Sequence, residues 1–392
     1  SSSASPELGI IGPYELRDGR RYLRDSTYPL PVDLAELHRE SLETLLLLQV
    51  FGGRPVCAPH FATGPPPQKV LEVACGSGYW SAKCHEYFAA RGHADVQFFG
   101  LDIVPLAPDL RKQGVRWTFV EHDLRQLPLP FPDEQFDLVV IKDLALALSP
   151  PAPQRFFEDC IRVIKPGGTL EIWEIDHLVR CLPQAPAAAT TSARDRDTAR
   201  ATRTFVIVPG TAFEPTENTC LQQCNKWTQD AFDRHDFIST PCSRVNSMMQ
   251  LETESLCDAG ALRVAIPLAE MKWEREAAAT NGATASSKPN PAKQPARKPD
   301  PRLLTPDQAA IRDTALTLVL QKIENLEPIL REASGKNTEE WNAWWGLLMA
   351  SVAASAEPSK GGAAALTNEV VEVGAFWARK VGDAEDDDDE GT

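Results

Sequence analysis

The residues best suited to chemistry are Val70-Leu71-Glu72-Val73-Ala74-Cys75-Gly76-Ser77-Gly78-Tyr79-Trp80, an apolar run that enters a glycine turn and leaves it as a helix. Glycine at 76 and 78 lets the backbone approach a ligand closely, and the helix N-terminus that follows offers unpaired N–H donors to an anionic group. A dinucleotide site of the G-x-G-x-x-G kind is disfavoured because position 81 is Ser. Asp102 closes a second apolar run, where a carboxylate accepts both hydroxyls of a ribose, and Asp123 follows a third, where it accepts an exocyclic adenine amine. Ligands in open α/β sheets sit at the carboxyl ends of parallel strands, so three strand ends converge on one nucleoside.

A parallel sheet is needed to hold those positions. Between residues 70 and 175, strand-like runs alternate with helix-like segments, the pattern of a sheet covered on both faces. Strands are expected at 70–73, 96–102, 117–121, 136–142 and 169–175, and two later runs, 262–266 and 370–377, bring the sheet to seven. Phe156, Phe157, Cys160, Ile161 and Ile164 recur at helical spacing, after which Lys165-Pro166-Gly167-Gly168 stops the helix. Residues 34–50, entered through Pro29 and Pro31, read as a lid helix, and 219–232 as a helix packing on the core. Thr305-Pro306-Asp307 starts a helix to about 326, with Thr as N-cap and Pro in the first turn. Trp341, Trp344 and Trp345 mark another, read as core beneath a cap rather than as a partner surface.

The net charge of −15 over 392 residues leans on seven acidic residues between Asp383 and Glu390, so the body is only moderately acidic. That sign disfavours attraction to nucleic-acid phosphates, and no apolar run is long enough to span a bilayer. Nine cysteines at scattered spacings fit reduced thiols and a cytoplasmic or nuclear location better than a disulfide framework. Cys220, Cys224 and His235 do not complete a zinc pattern, so no metal is expected. Cys75 lies near a helix N-terminus, where a thiol pKa can fall, but packing is its expected role.

These motifs, with Leu127-Pro128, Phe131-Pro132-Asp133-Glu134-Gln135-Phe136-Asp137 and Ile164-Lys165-Pro166-Gly167-Gly168-Thr169-Leu170, resemble the class I S-adenosylmethionine-dependent methyltransferases. More narrowly, Gly19-Arg20-Arg21-Tyr22, Tyr28-Pro29-Leu30-Pro31, Trp80 and Leu170-Glu171-Ile172-Trp173-Glu174 are similar to the fungal LaeA-like methyltransferases. That resemblance implies an α/β, Rossmann-like seven-stranded sheet with helical lid and cap insertions, S-adenosylmethionine as cofactor and S-adenosylhomocysteine as product. It also implies a small-molecule or protein methyl acceptor, a role in fungal secondary metabolism or development, and methyltransferase-like or velvet-type protein partners. A degenerate fold serving as scaffold in a heteromeric complex is the alternative.

The cofactor residues implied are Tyr22, Glu72, Ala74, Cys75, Gly76, Ser77, Gly78, Trp80, Asp102, Ile103, Asp123 and Leu124, with Tyr28 helping Tyr22 to close the lid. The family usually carries Gly where Ala74 stands, and a Cβ there crowds the methionine moiety. Ile141-Lys142-Asp143-Leu144 replaces the Asn-Pro-Pro-Tyr type of motif, which argues against methylation of nucleic-acid bases. No catalytic base is assigned; His122, Lys142 and Asp143 are the candidates, the last two where the acceptor should approach. The expected organisation is an N-terminal lid over 1–60, the cofactor-binding core over 61–180, a mobile loop over 181–204 and a cap helix with the sixth strand over 205–274. A disordered insert over 275–302, cap helices with the final strand over 303–382 and an acidic tail over 383–392 complete it.

Overall fold

The computed structural model describes residues 12–24, 26–147, 152–186, 192–275, 304–355 and 365–382. Its strands are β1 (Tyr14–Arg17), β2 (Arg20–Leu23), β3 (Lys69–Val73), β4 (Gln97–Asp102), β5 (Arg116–Glu121), β6 (Phe136–Lys142) and β7 (Ile164–Ile175). The two-residue strands β8 (Arg180–Cys181), β9 (Phe205–Val206) and β10 (Glu214–Pro215) precede the long β11 (Leu256–Pro267) and β12 (Glu369–Lys380). Helices α1 (Leu34–Val50), α2 (His60–Thr63), α3 (Tyr79–Ala89), α4 (Ala152–Val163) and α5 (Ala193–Thr202) belong to the first half. The second half adds α6 (Thr219–His235), α7 (Pro241–Leu251), α8 (Pro306–Asn325), α9 (Glu327–Ser334) and α10 (Thr338–Ser355).

The main sheet runs β5-β4-β3-β6-β7-β12-β11 in space, with the short strands β8, β9 and β10 added near one end. Strands β3 to β7 are mutually parallel, while β12 lies antiparallel between β7 and β11. This is the expected seven-stranded Rossmann-like arrangement of the class I methyltransferase fold. Its chain reversal between β3 and β6 opens a crevice at the carboxyl ends of those strands. The β-branched run of β6 is buried on both faces because helices cover both sides, as a central parallel strand requires. Strand β7 starts earlier than expected: Gly167, at φ 73°, lies in a register shift between the Phe136 and Leu138 pairings, so the Lys165 to Gly168 turn is absorbed as an irregularity of the strand.

Two stretches depart from composition. The segment 181–204, expected as an open loop, contains α5, because Ser192 caps it by accepting from Asp195 N–H at 3.1 Å and Arg54 anchors Asp195 at 2.7 Å. A hairpin of β1 and β2 precedes α1, and its Arg20 bonds both the α1 cap Asp33 and Asn325 at the end of α8. The expected tail over 383–392, and the insert over 275–302 apart from Arg275, lie outside the described residues.

The cap packs as the tryptophan spacing implies. Trp341 and Trp344 of α10 are buried against Trp227 of α6, with ring centroids 5.9 and 4.8 Å away. Helix α8 begins with a full capping box, in which Thr305 accepts from Gln308 N–H at 3.2 Å and the Gln308 side chain accepts from Thr305 N–H at 3.0 Å. Replacing the cap, Thr305→Ala, is expected to lower unfolding free energy by about 1 kcal/mol in urea titration, with Thr305→Ser near wild type.

Candidate functional site

The turn after β3 is built on left-handed backbone. Ala74, Gly76 and Gly78 lie at φ 52°, 48° and 65°. The Gly78 amide donates to the Cys75 carbonyl at 2.7 Å, and the Cys75 amide donates to the Leu101 carbonyl of β4 at 3.1 Å. Asp102 ties the tip down: its two carboxylate oxygens accept from the amides of Gly76 and Ile103, each at 2.7 Å. Burial nevertheless pushes this carboxyl above its ordinary range. A carboxylate offers about four lone-pair directions, so acceptor capacity remains for hydroxyls in the cleft.

The cleft above this turn is lined by Glu72, Ala74, Cys75, Gly76, Ser77 and Trp80. Asp102, Ile103, Asp123, Leu124, Lys142, Asp143 and Tyr28 complete the expected residues that reach it. Three expected residues fall elsewhere. Tyr22 is buried within β2 of the hairpin with the Arg17 guanidinium 5.1 Å from its ring centre, so of the two tyrosines only Tyr28 lines the cleft. Gly78 caps α3 and faces Leu110 and Ala107 rather than the cleft. His122 is not a cleft base: its Nε2 is bound at 2.7 Å to the Gln126 carbonyl within its own turn.

Environment sorts the remaining groups. Glu72 accepts from Ser81 Oγ at 2.6 Å and from its amide at 3.2 Å, and burial raises its pKa to about 7. Asp123 is held below its ordinary range by hydrogen bonds from Arg125, whose Nη2 lies 2.7 Å away. Cys75 goes the opposite way from a helix-activated thiol: burial lifts its pKa well above normal, so it packs. Trp80 donates from Nε1 to the Pro55 carbonyl at 2.9 Å and is fully buried.

Lid helix α1 supplies what the sequence reading missed. Glu40, Glu43 and Thr44 line the cleft, and Ser41 Oγ lies 3.4 Å from Ser77 Oγ. Leu34 and Leu45 are exposed while Glu36, Arg39 and Glu43 are buried, so part of the polar face of this helix is turned inward. The signal was present as Glu36, Arg39, Glu40 and Glu43 at spacings of three and four, but the leucines between them dominate a reading by hydrophobicity. Arg39 bonds Glu36 at 2.9 Å and Glu43 at 2.5 Å, and lies 3.8 Å from Asp143. Asp143, itself left-handed at φ 48°, also accepts from Lys322 of α8 at 3.1 Å. Burial alone would raise its pKa, but the charges of Lys322 and Arg39 hold it well below the ordinary range.

Elsewhere, buried Asp176, Cys242 and Glu372 bring ligand-type atoms within 4.8 Å of one another. Arg180 bonds both carboxylates at 2.5 Å and Arg263 bonds Glu372 at 2.6 Å, so arginine charge already fills the role of a cation there. No helix among the described residues is long and apolar enough to cross a membrane.

With that geometry in place, comparisons add a class. A family model described as a methyltransferase domain matches residues 70–168, from β3 to the turn within β7. A methyltransferase, str3, from Strobilurus tenacellus is 30% identical over 122 residues, 31% of this chain and 40% of that protein. The secondary metabolism regulator laeA of Aspergillus niger is 25% identical over 167 residues, 42% of this chain and 41% of its own. The chain thus spans about two fifths of the length of these curated relatives. Among solved structures, a Haemonchus contortus phosphoethanolamine N-methyltransferase holding S-adenosylhomocysteine aligns over 87% of this chain and 58% of that one, at 11% identity and TM-score 0.37.

Glu40 makes the site sensitive to pH. Burial raises its carboxyl from the usual 4.5 to about 8, so between those values the folded chain holds a proton that the unfolded chain has released. Its stabilising contribution is full below pH 4.5 and is lost as pH rises through 8. Urea titrations from pH 5 to 8 are expected to show Glu40→Gln losing less stability than wild type as pH rises.

Proposed function

We propose that the chain is an S-adenosylmethionine-dependent methyltransferase. The observation that carries this reading is the glycine turn closed by Asp102, with Asp123 at the end of the adjoining strand. Gly76 fits a cofactor cradle in a specific way: a Cβ there would come 2.8 Å from Glu40 Oε2, so a side chain would fill the gap between turn and lid. Asp102 would take the ribose hydroxyls, Ile103, Val104 and Leu124 would face the purine, and Asp123, steadied by Arg125, would accept its amine. S-adenosylmethionine supplies an electrophilic methyl on a sulfonium.

The chain's own task is to position and to dry the site. Tyr28 and α1 cover the cleft, and Lys142 and Asp143 mark the side from which an acceptor approaches. In-line displacement gains most from alignment of the reacting groups and exclusion of water, so a dedicated acid or base is not required. The similarity to laeA, a secondary metabolism regulator, supports a place in fungal secondary metabolism. A role in development and a velvet-type or methyltransferase-like partner are what the resemblance of the sequence motifs adds to the proposal.

A second reading, a scaffold of methyltransferase fold in a heteromeric complex, is favoured by Ala74. Its Cβ lines the cleft from a left-handed backbone position, where glycine would fit without strain.

Two titrations separate these readings. Wild type should bind S-adenosylmethionine and S-adenosylhomocysteine calorimetrically at micromolar affinity or better, about −8 kcal/mol. Gly76→Arg should lose both while keeping its circular dichroism; normal binding by that variant would remove the cradle assignment. Ala74→Gly is expected to bind several-fold more tightly than wild type, and no binding by either folded form would leave the scaffold.

A further inference from the structure

A second chamber adjoins the cleft. It lies between the ends of β7 and β12 and the cap helices α6 and α8, and its walls include Val179, Leu221, Leu318, Ile323 and Val373. Its boundary with the cofactor cleft is shared: Glu43 lines both spaces, and Asp143 on the cleft side bonds Lys322 on the chamber side. In this mostly apolar wall stands His177.

The backbone of His177 is fixed, its amide donating to the Ser239 carbonyl at 2.9 Å, and its ring meets Phe232 edge-on at 5.1 Å. Both ring nitrogens are buried, and neither has a hydrogen-bond partner among the described residues. A buried polar group without a partner costs about 1–3 kcal/mol, and native structures rarely keep two on one side chain without a use. Burial, followed by the charges of Lys322 and Arg39, outweighs Asp143 and drives the imidazole pKa well below normal, so the ring is neutral and offers one donor and one acceptor.

We infer that this chamber is the subsite for the methyl acceptor, and that it takes a small, largely apolar molecule whose hydroxyl or amine hydrogen-bonds His177. The proposal rests on the methyltransferase reading above. It accounts for the mostly apolar lining and for a ring without a hydrogen-bond partner among the described residues. A charged acceptor such as an acidic or basic peptide side chain fits poorly, because the charged groups of the lining, Glu43, Asp176 and Lys322, are already paired with Arg39, Arg180 and Asp143 and the rest is largely apolar.

The test is calorimetric titration of the full chain, saturated with S-adenosylhomocysteine, with phenol and 2-naphthol and with their matched hydrocarbons benzene and naphthalene. Each hydroxyl compound is expected to bind at least about fivefold more tightly than its hydrocarbon, the effect of one net hydrogen bond. His177→Phe keeps the ring packing and should bring that ratio close to one, and His177→Gln should restore part of it. Leu318→Trp should fill the chamber and abolish probe binding while S-adenosylhomocysteine still binds. Equal affinities in wild type, a ratio unchanged in His177→Phe, or competition between 2-naphthol and S-adenosylhomocysteine would overturn the assignment. Failure of every probe with cofactor binding intact defeats this subsite alone, whereas loss of cofactor binding in the wild type defeats the methyltransferase reading beneath it.

Discussion

Asp143 is the charge on which the architecture closes. It stands at the carboxyl end of β6, in left-handed backbone, where Lys322 of α8 and Arg39 of α1 reach it from opposite ends of the sequence. A carboxylate in that place is unfavourable alone, and so are the two buried cations; together they compensate one another. The same layer continues through Arg39 to Glu36 and Glu43, through Asn325 to Glu36, and through Arg20 to Asp33 and Asn325. Lid and cap are thus bound to the sheet by charge in addition to the apolar packing of residues such as Leu46, Leu47, Leu318 and Ile323. Breaking one partner of such a layer typically costs about 3–5 kcal/mol, because an uncompensated charge stays behind.

This arrangement governs the chemistry of the site. The lid helix brings carboxylates to the cleft, and burial renders Glu40 and Glu72 easier to protonate while the charges of Lys322 and Arg39 keep Asp143 ionised. The cleft and the adjoining chamber share a boundary at the same ion pairs that anchor the helices, so enclosure of the site and attachment of the lid are one structural event. The second buried cluster, Asp176 and Glu372 with Arg180 and Arg263, repeats the device where β12 meets the end of β7.

Much of the sheet was legible because parallel strands buried on both faces write themselves as short β-branched runs. Residues 136–142 were read to the residue, and Thr305 as N-cap with Pro306 in the first turn announced α8. The cleft residues from Glu72 to Ser77, with Asp102, Asp123 and Leu124, were legible for a related reason: turn geometry demands glycine at fixed places, and strand ends then set where the acids fall. Tyr22 and His122 failed because a residue type near a motif does not fix which way its side chain turns. Helix α5 was hidden because its stability comes from a cap and from Arg54, a partner far away in the chain.

What the sequence determined alone was local: strand and helix periods, caps, the glycine turn and the acids that follow two strands, each set by interactions within a few residues. What only the tertiary structure decided was long-range, namely that Glu40 and Glu43 face the cleft, that Lys322 meets Asp143, and that His177, in a mostly apolar chamber, has no hydrogen-bond partner among the described residues. A buried charge or an unpaired imidazole has no signature in its neighbours along the chain. Its energy is fixed by desolvation and by groups tens to hundreds of residues away, and those meet only when the chain has folded.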